Sequence, residues 1–177
     1  MPVRAVIHTA RLTLRPPTPD DAPAIAAALA DWEVTRWLSA PPWPYGLDDA
    51  LSFLSGATTT GHWAIDRDGA LAGLIGTKPD LGYWLARRFW GQGLMREAAG
   101  AVVAAHFTDP DAGPLASGHF EGNDRSARVL QRLGFAYRGT GPAFARPLGR
   151  EVAIRRMELT RADWCAAAPP GTERPAP

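Results

Sequence analysis

Residues 80–98 read DLGYWLARRFWGQGLMREA, and this stretch decides the fold. Asp80 to Ala86 has the apolar and aromatic content of a strand, whereas Leu94, Ala98, Ala101 and Ala105 recur at helical spacing over Leu94 to Phe107. The chain therefore passes from strand to helix across Arg88-Phe89-Trp90-Gly91-Gln92-Gly93. Glycines at such a junction let backbone amides converge on an oxyanion without a Cβ in the way, and the helix adds the positive end of its dipole. Arg87, Arg88 and Arg96 are close enough in sequence to supplement that field, so a pyrophosphate suits the nest. Taken alone, the same spelling also fits an ordinary glycine-rich turn.

Two other phosphate loops fail on spelling. A dinucleotide fingerprint needs a third glycine where this chain has Arg96, and no Gly-x-x-x-x-Gly-Lys-Ser/Thr occurs anywhere. His8, His62, His106 and His119 are scattered without ligand spacing, and no Gly-x-Ser-x-Gly elbow is present, so no metal and no hydrolase triad is assigned. With 19 basic against 18 acidic side chains, the 177-residue chain has no global field to attract nucleic acid or an anionic membrane. Any anion site must be local. A single cysteine, Cys165, excludes an intrachain disulfide and fits a reducing compartment. No signal-like start and no apolar run of membrane-spanning length is found, so the expectation is a cytoplasmic protein.

Outward from the junction, the pattern predicts one α+β domain over 1–164. A first strand lies over Ala10 to Arg15, and Thr18-Pro19-Asp20-Asp21 caps a helix continuing through Ala22 to Trp32. A second helix is expected over Leu47 to Leu54, after the rigid Pro41-Pro42-Trp43-Pro44. HWAIDR (62–67) and ALAGLIGT (70–77) flank the turn dipeptide Asp68-Gly69 and predict a hairpin that continues into the strand from Asp80. LASGHF (115–120) reads as a strand, Asp124 to Leu133 as a helix ended by Gly134, and closing strands lie near Phe135 to Gly139 and Glu151 to Leu159. Residues 165–177 read as a disordered tail.

The second informative stretch, GHFEGNDRSARVLQRLGF (118–135), puts Asn123 and Ser126 at a strand-to-helix junction. By itself it describes an ordinary N-cap followed by a first-turn residue. Together, Arg-x-x-Gly-x-Gly before one helix and Asn-x-x-Ser ahead of Leu-Gly-Phe resemble the GNAT superfamily of N-acetyltransferases. The finer spelling, with RLTLRPPTPDDA (11–22), VTRWLSAPPWPY (34–45) and GYWL (82–85), is similar to its ribosomal-protein N-acetyltransferase branch. The resemblance runs from about Ala10 to Trp164.

It implies a mixed, mostly antiparallel seven-stranded sheet flanked by about four helices, with central strands splaying where acetyl-CoA enters. On it, Leu85 and its neighbours offer backbone hydrogen bonds to pantetheine. Arg88, Phe89, Trp90, Gly91, Gln92, Gly93 and Leu94 cradle the pyrophosphate, and Asn123 contacts the cofactor arm. Arg125, Arg128 and Arg132 are either solvated arginines or partners of the 3′-phosphate. Many relatives carry a thiolate-protonating tyrosine seven residues after the asparagine, but that position is Leu130 here, and Ser126 is similar to the serine that replaces it in the ribosomal-protein branch. Asp80 matches the usual glutamate base with one methylene less, and His119 and Glu121 are alternatives. The acceptor pocket is expected between the early helices and the last hairpin, where Trp32, Trp37, Trp43 and Tyr45 cluster in sequence. The implied reaction is acetyl transfer to a primary amine, either a protein N-terminal α-amine or a small molecule, by a protein that is a homodimer in its relatives. The missing tyrosine and shortened acid also fit a CoA-binding sensor or interaction module without catalysis.

Overall fold

A computed structural model describes residues 6–56 and 61–167. Its first sheet is built by β1 (Ile7–His8), β2 (Thr13–Arg15), β3 (His62–Arg67), β4 (Ala70–Gly76) and β5 (Gly82–Leu85), in that spatial order and antiparallel throughout. A second sheet holds β6 (Leu115–Phe120), β8 (Arg150–Leu159) and β7 (Ala136–Ala145), with β8 central. Helices α1 (Ala22–Leu29), α2 (Trp32–Thr35), α3 (Leu47–Ser55), α4 (Leu94–His106), α5 (Asp124–Leu133) and α6 (Arg161–Ala166) complete the described residues.

The expectation of one seven-stranded sheet is corrected to five strands plus three. The two sheets meet at a single parallel bridge, Leu81 to Ser117, where the Leu81 N–H donates to Ala116 O at 2.8 Å. Beyond it β5 and β6 are no longer paired. The additional strand is β1, two residues that pair with the end of β2.

β3 shows how the core is divided. Trp63 and Ile65 pack with Leu94, Met95 and Val102 of α4, while Ala64 between them packs with Ile25, Leu29 and Ala50 of α1 and α3. Both faces of that strand are therefore dry, as a strand buried between two helical layers requires.

The remaining differences have local causes. The first helix stops at Leu29 rather than Trp32, because Asp31 restarts the chain by accepting the Glu33 N–H at 3.0 Å, and α2 follows. β7 runs to Ala145, well past Gly139. Its glycines and Pro142 are poor strand formers, but β7 is an edge strand paired with β8 over its length, and Pro142 sits opposite Ala153. Thr160 caps α6 by accepting the Asp163 N–H at 3.1 Å, so Cys165 and Ala166 are helical and the folded domain passes residue 164. The rest of the expected tail, from residue 168, lies outside the described residues.

Beneath α1, Arg15 joins β2 to the turn before the helix. Its guanidinium donates to both oxygens of Asp21, at 2.9 and 2.7 Å, and also to Asp66. Burial opposes ionisation of Asp21, but hydrogen bonds from Arg15 and Thr18 outweigh it and hold the carboxyl below its ordinary range. No helix of the described residues is long and apolar enough to cross a membrane.

Candidate functional site

The loop between β5 and α4 has the geometry that its glycines allow. Gly91 and Gly93 stand at φ +73° and +75°, in the left-handed region, and Gly93 is the N-cap of α4. A Cβ at Gly93 would meet only Arg11 Nη2, at 3.7 Å, and one at Gly91 would meet nothing within 4 Å. Backbone conformation, not crowding within the protein, is therefore what demands glycine here.

Arg11, which the sequence reading did not single out for the site, holds this loop. Its Nη1 donates to Gln92 O at 2.9 Å and its Nε to Glu97 Oε2 at 2.7 Å, while Thr9 Oγ1 donates to Glu97 Oε1 at 2.6 Å. Burial disfavours the Glu97 charge, but the bonds from Thr9 and Arg11 prevail and lower its pKa. Gln92 is structural on its side-chain end, donating to Arg88 O at 3.0 Å and accepting from Arg67.

A cavity of about 1320 Å³ opens from this loop along the gap between β5 and β6. It is larger than the ~300–1,000 Å³ of ordinary small-molecule pockets. Phe89, Trp90, Gly91, Gly93 and Leu94 line one end together with Arg11 and Arg96. Arg125, Arg128 and Arg132 line it from α5, so all three arginines left open by the sequence face the same space. Arg88 does not. It is exposed, and its guanidinium lies 4.9 Å over the Phe89 ring.

Strand parity explains the gap. Ala86 N–H donates to Ala72 O, so even-numbered residues of β5 bond β4, and the backbone groups of Tyr83 and Leu85 turn the other way. Leu81 uses that edge to bond β6, after which the strands diverge. Of the backbone groups expected to serve pantetheine, the Leu85 carbonyl is taken by Trp90 Nε1 at 2.8 Å, leaving the Leu85 N–H on the open edge. Trp90 is thus a brace between strand and loop, and Arg125 covers its ring at 4.0 Å.

Within the cavity lining, Tyr83 Oη lies 2.9 Å from Ser126 Oγ. Burial pushes the Tyr83 phenol far above its ordinary pKa despite the Ser126 hydrogen bond, so it stays protonated and able to donate. Leu130, at the position of the missing tyrosine, is wholly buried in the core, and the phenol reaches the site from β5 instead. The signal was in GYWL, but register alone decides which of its residues faces Ser126. Asn123 is the N-cap it was read as, accepting the Ser126 N–H at 3.3 Å, and it also lines the cavity.

The three candidate proton acceptors separate, Glu121 being exposed and outside the lining of this cavity. Asp80 is exposed in the bend before Leu81 and is not among the lining residues. His119 lines the cavity and is buried, with Nδ1 3.0 Å from Phe120 O and Nε2 3.0 Å from Tyr137 Oη. A carbonyl can only accept, so Nδ1 carries hydrogen and the Nε2 of neutral His119 accepts the Tyr137 O–H. Of the four clustered aromatics only Trp37 lines the cavity. Trp32 and Trp43 pack on each other at 4.8 Å, and Tyr45 is buried under α1, with its phenol pushed up to about 12 by burial and by Asp49. No group of three or more metal-ligating side chains is found among the described residues.

Comparison with known proteins places this geometry. The family model described as the acetyltransferase (GNAT) domain matches residues 11–136. The putative ribosomal N-acetyltransferase YdaF of Bacillus subtilis (strain 168) is 30% identical over 80 residues, 41% of this chain and 44% of that protein. The uncharacterized protein YkkB of the same organism is 35% identical over 72 residues, so the chain spans less than half the length of these two relatives. A putative acetyltransferase from T. thermophilus superposes with a TM-score of 0.79 at 23% identity, covering 93% of each chain. The coenzyme A complex of RimL, a ribosomal L7/L12 alpha-N-protein acetyltransferase, gives a TM-score of 0.76 at 18% identity over 88% of this chain and 98% of its own. At these identities the structural likeness speaks for the fold.

Proposed function

Because the chain belongs to the GNAT acetyltransferase family, we propose that it transfers the acetyl group of acetyl-CoA directly to a primary amine, with a peptide N-terminal α-amine as the preferred acceptor. The observation that carries this reading is the Tyr83–Ser126 hydroxyl pair in a cavity that arginines also line.

The residues fit the cosubstrate. Left-handed glycines and the α4 N-terminus present amide donors to a pyrophosphate, and Arg11, Arg96, Arg125, Arg128 and Arg132 supply charge for phosphates. The Leu85 N–H and its neighbours on the open edge of β5 can receive an amide-containing arm.

In the proposed reaction the neutral amine attacks the thioester carbonyl, a C–N bond forms, and the C–S bond breaks. Ser126 donates its hydroxyl hydrogen bond to the departing sulfur. Tyr83, kept protonated by burial, donates a hydrogen bond to Ser126 and so orients the serine hydroxyl toward sulfur; both hydroxyls keep their protons, and the thiolate leaves to take its proton from solvent. The proton released by the amine leaves through water toward exposed Asp80, or to His119 Nε2 once the Tyr137 hydroxyl turns away from it.

Neither route is strong, and that bears on the acceptor. An α-amine with a pKa of about 7.7–8.0 is far more often neutral at pH 7 than a lysine near 10.4, so a weak proton acceptor suffices for the former.

The test is thiol release from acetyl-CoA across a panel of N-terminal peptides, blocked lysine peptides and small amines. Turnover favouring α-amines is expected. Tight acetyl-CoA binding with no turnover on any amine would instead establish a CoA-binding module.

A further inference from the structure

A second cavity, of about 310 Å³, shares Phe120 and Trp37 with the large one. Leu148, Val152 and Ala153 add apolar lining, and its charged lining is Arg36, Glu121 and Arg150. A volume near 300 Å³ is at the lower end of small-ligand pockets, room for a short side group and not for a folded partner. The Arg146 N–H donates to Ser39 O at 2.9 Å, which ties the turn between β7 and β8 to the segment after α2 and fixes the two walls together.

Its charges are unbalanced. Glu121 has Arg155 4.0 Å away, so its charge is already partly met. Arg36 is paired with Glu33 at 3.3 Å, but both side chains are about two-fifths exposed, and its guanidinium lies 5.0 Å over Trp37 at the shared wall. Arg150 makes only a 3.3 Å bond to the neighbouring Glu151 carbonyl, and among the described residues no carboxylate lies within ion-pair distance of it. Two guanidiniums therefore face a space with one partly neutralised carboxylate.

We infer that this second cavity receives an anionic group of the acceptor, so that the preferred acceptor carries a carboxylate within a few bonds of its reacting amine. The inference rests on the acetyl-transfer reading above for the place of the amine. An acceptor lying across the wall of Trp37 and Phe120 has its amine in the large cavity, toward Ser126, and its next group between Arg36 and Arg150. A carboxylate there gains charge-assisted bonds from a guanidinium, and a lysine or polyamine chain meets like charge. The matching chemistry is an acidic residue at a peptide N-terminus, or a free acidic amino acid.

The experiment compares the amidated dipeptides Asp-Ala and Asn-Ala, which differ in charge and hardly in shape, together with free aspartate. Each is measured as an acceptor by thiol release, and as a ligand by calorimetry on protein saturated with coenzyme A. Wild type should favour Asp-Ala over Asn-Ala by about tenfold in kcat/KM and in affinity, the scale of one charge-assisted hydrogen bond. In Arg150→Gln that ratio should fall toward one, and Arg150→Glu should shift preference to a Lys-Ala amide. Free aspartate matching the dipeptide supports the inference and makes an amino acid the source. A ratio near one in wild type, or a ratio unaltered in Arg150→Gln, overturns it. The two readings fail separately: turnover without charge preference removes only this subsite, and charge-selective binding without turnover removes only the catalysis.

Discussion

The two halves of the cavity are built by different means. The end proposed to take phosphate is written in short local motifs: Gly91 and Gly93 set their own backbone angles, α4 follows at once, and α5 carries its arginines on one turn after another. The acceptor end is assembled from residues far apart in sequence, Val34 to Leu38 on one side and Gly118 to Ile154 on the other. Local conformation writes the first into short motifs. The second exists only once two sheets have diverged and a hairpin has folded back on α2.

The largest expected effect lies at the phosphate end. In Gly93→Val a β-branched residue must hold φ near +75°, so either the loop moves or the strain is borne, and acetyl-CoA affinity should fall roughly 100-fold. Calorimetry on the folded variant measures it. Unchanged affinity would break the assignment of this loop to the cofactor.

Next come the hydroxyls where the halves join. Ser126→Ala and Tyr83→Phe should each lower kcat by roughly 100-fold while leaving acetyl-CoA affinity nearly unchanged. Because the two act in series, the double variant should be little worse than the poorer single. Burial keeps the phenol neutral, so the kcat profile should show no alkaline fall from Tyr83 below about pH 10. Additive losses in the double variant would separate the pair.

Stability of the acceptor half should respond to Asp21→Asn. This change leaves the Arg15 guanidinium with Asp66 as its remaining carboxylate and should cost about 2 kcal/mol in urea unfolding at pH 7. The folded-state pKa of Asp21 is depressed, so its contribution is present above the unfolded-state value and is lost as pH falls through the folded one. Wild type and variant should therefore converge below about pH 4, and a constant difference down to pH 2 would contradict the pairing.

The smallest effect is expected at Asp80, which lies in an exposed bend and in the proposed reaction is reached only through water. Asp80→Asn should lower turnover of an α-amine by about threefold at neutral pH, with the profiles merging at higher pH as solvent takes the proton. A loss comparable to that of Ser126→Ala would move Asp80 into the acceptor half.

Legibility followed the range of the interactions. LASGHF, HWAIDR and Asp124–Leu133 fold with the bounds that their spelling suggested, because alternation, a turn dipeptide and a capped helix are local signals. Ser126 was readable as a hydroxyl at a helix start. Its partner was not, since nothing within GYWL says that Tyr83 rather than Trp84 faces α5. Trp90 was read as part of the phosphate cradle, and only the fold shows its indole spent on the Leu85 carbonyl. Trp32, Trp43 and Tyr45 were neighbours of Trp37 in sequence and became core, because composition gives a segment's hydrophobicity but not the direction in which it is buried.

By itself the sequence determined the order of the longer strands and helices, the glycines of the anion loop and the resemblance to the family, for these depend on residues within a turn or two of one another. The tertiary structure decided the break into five and three strands, the meeting of Tyr83 with Ser126, the anchoring of the loop by Arg11 from 81 residues away, and the charged cavity at Phe120. Each of these requires distant segments to share one register and one packing, and no local preference encodes where such segments meet.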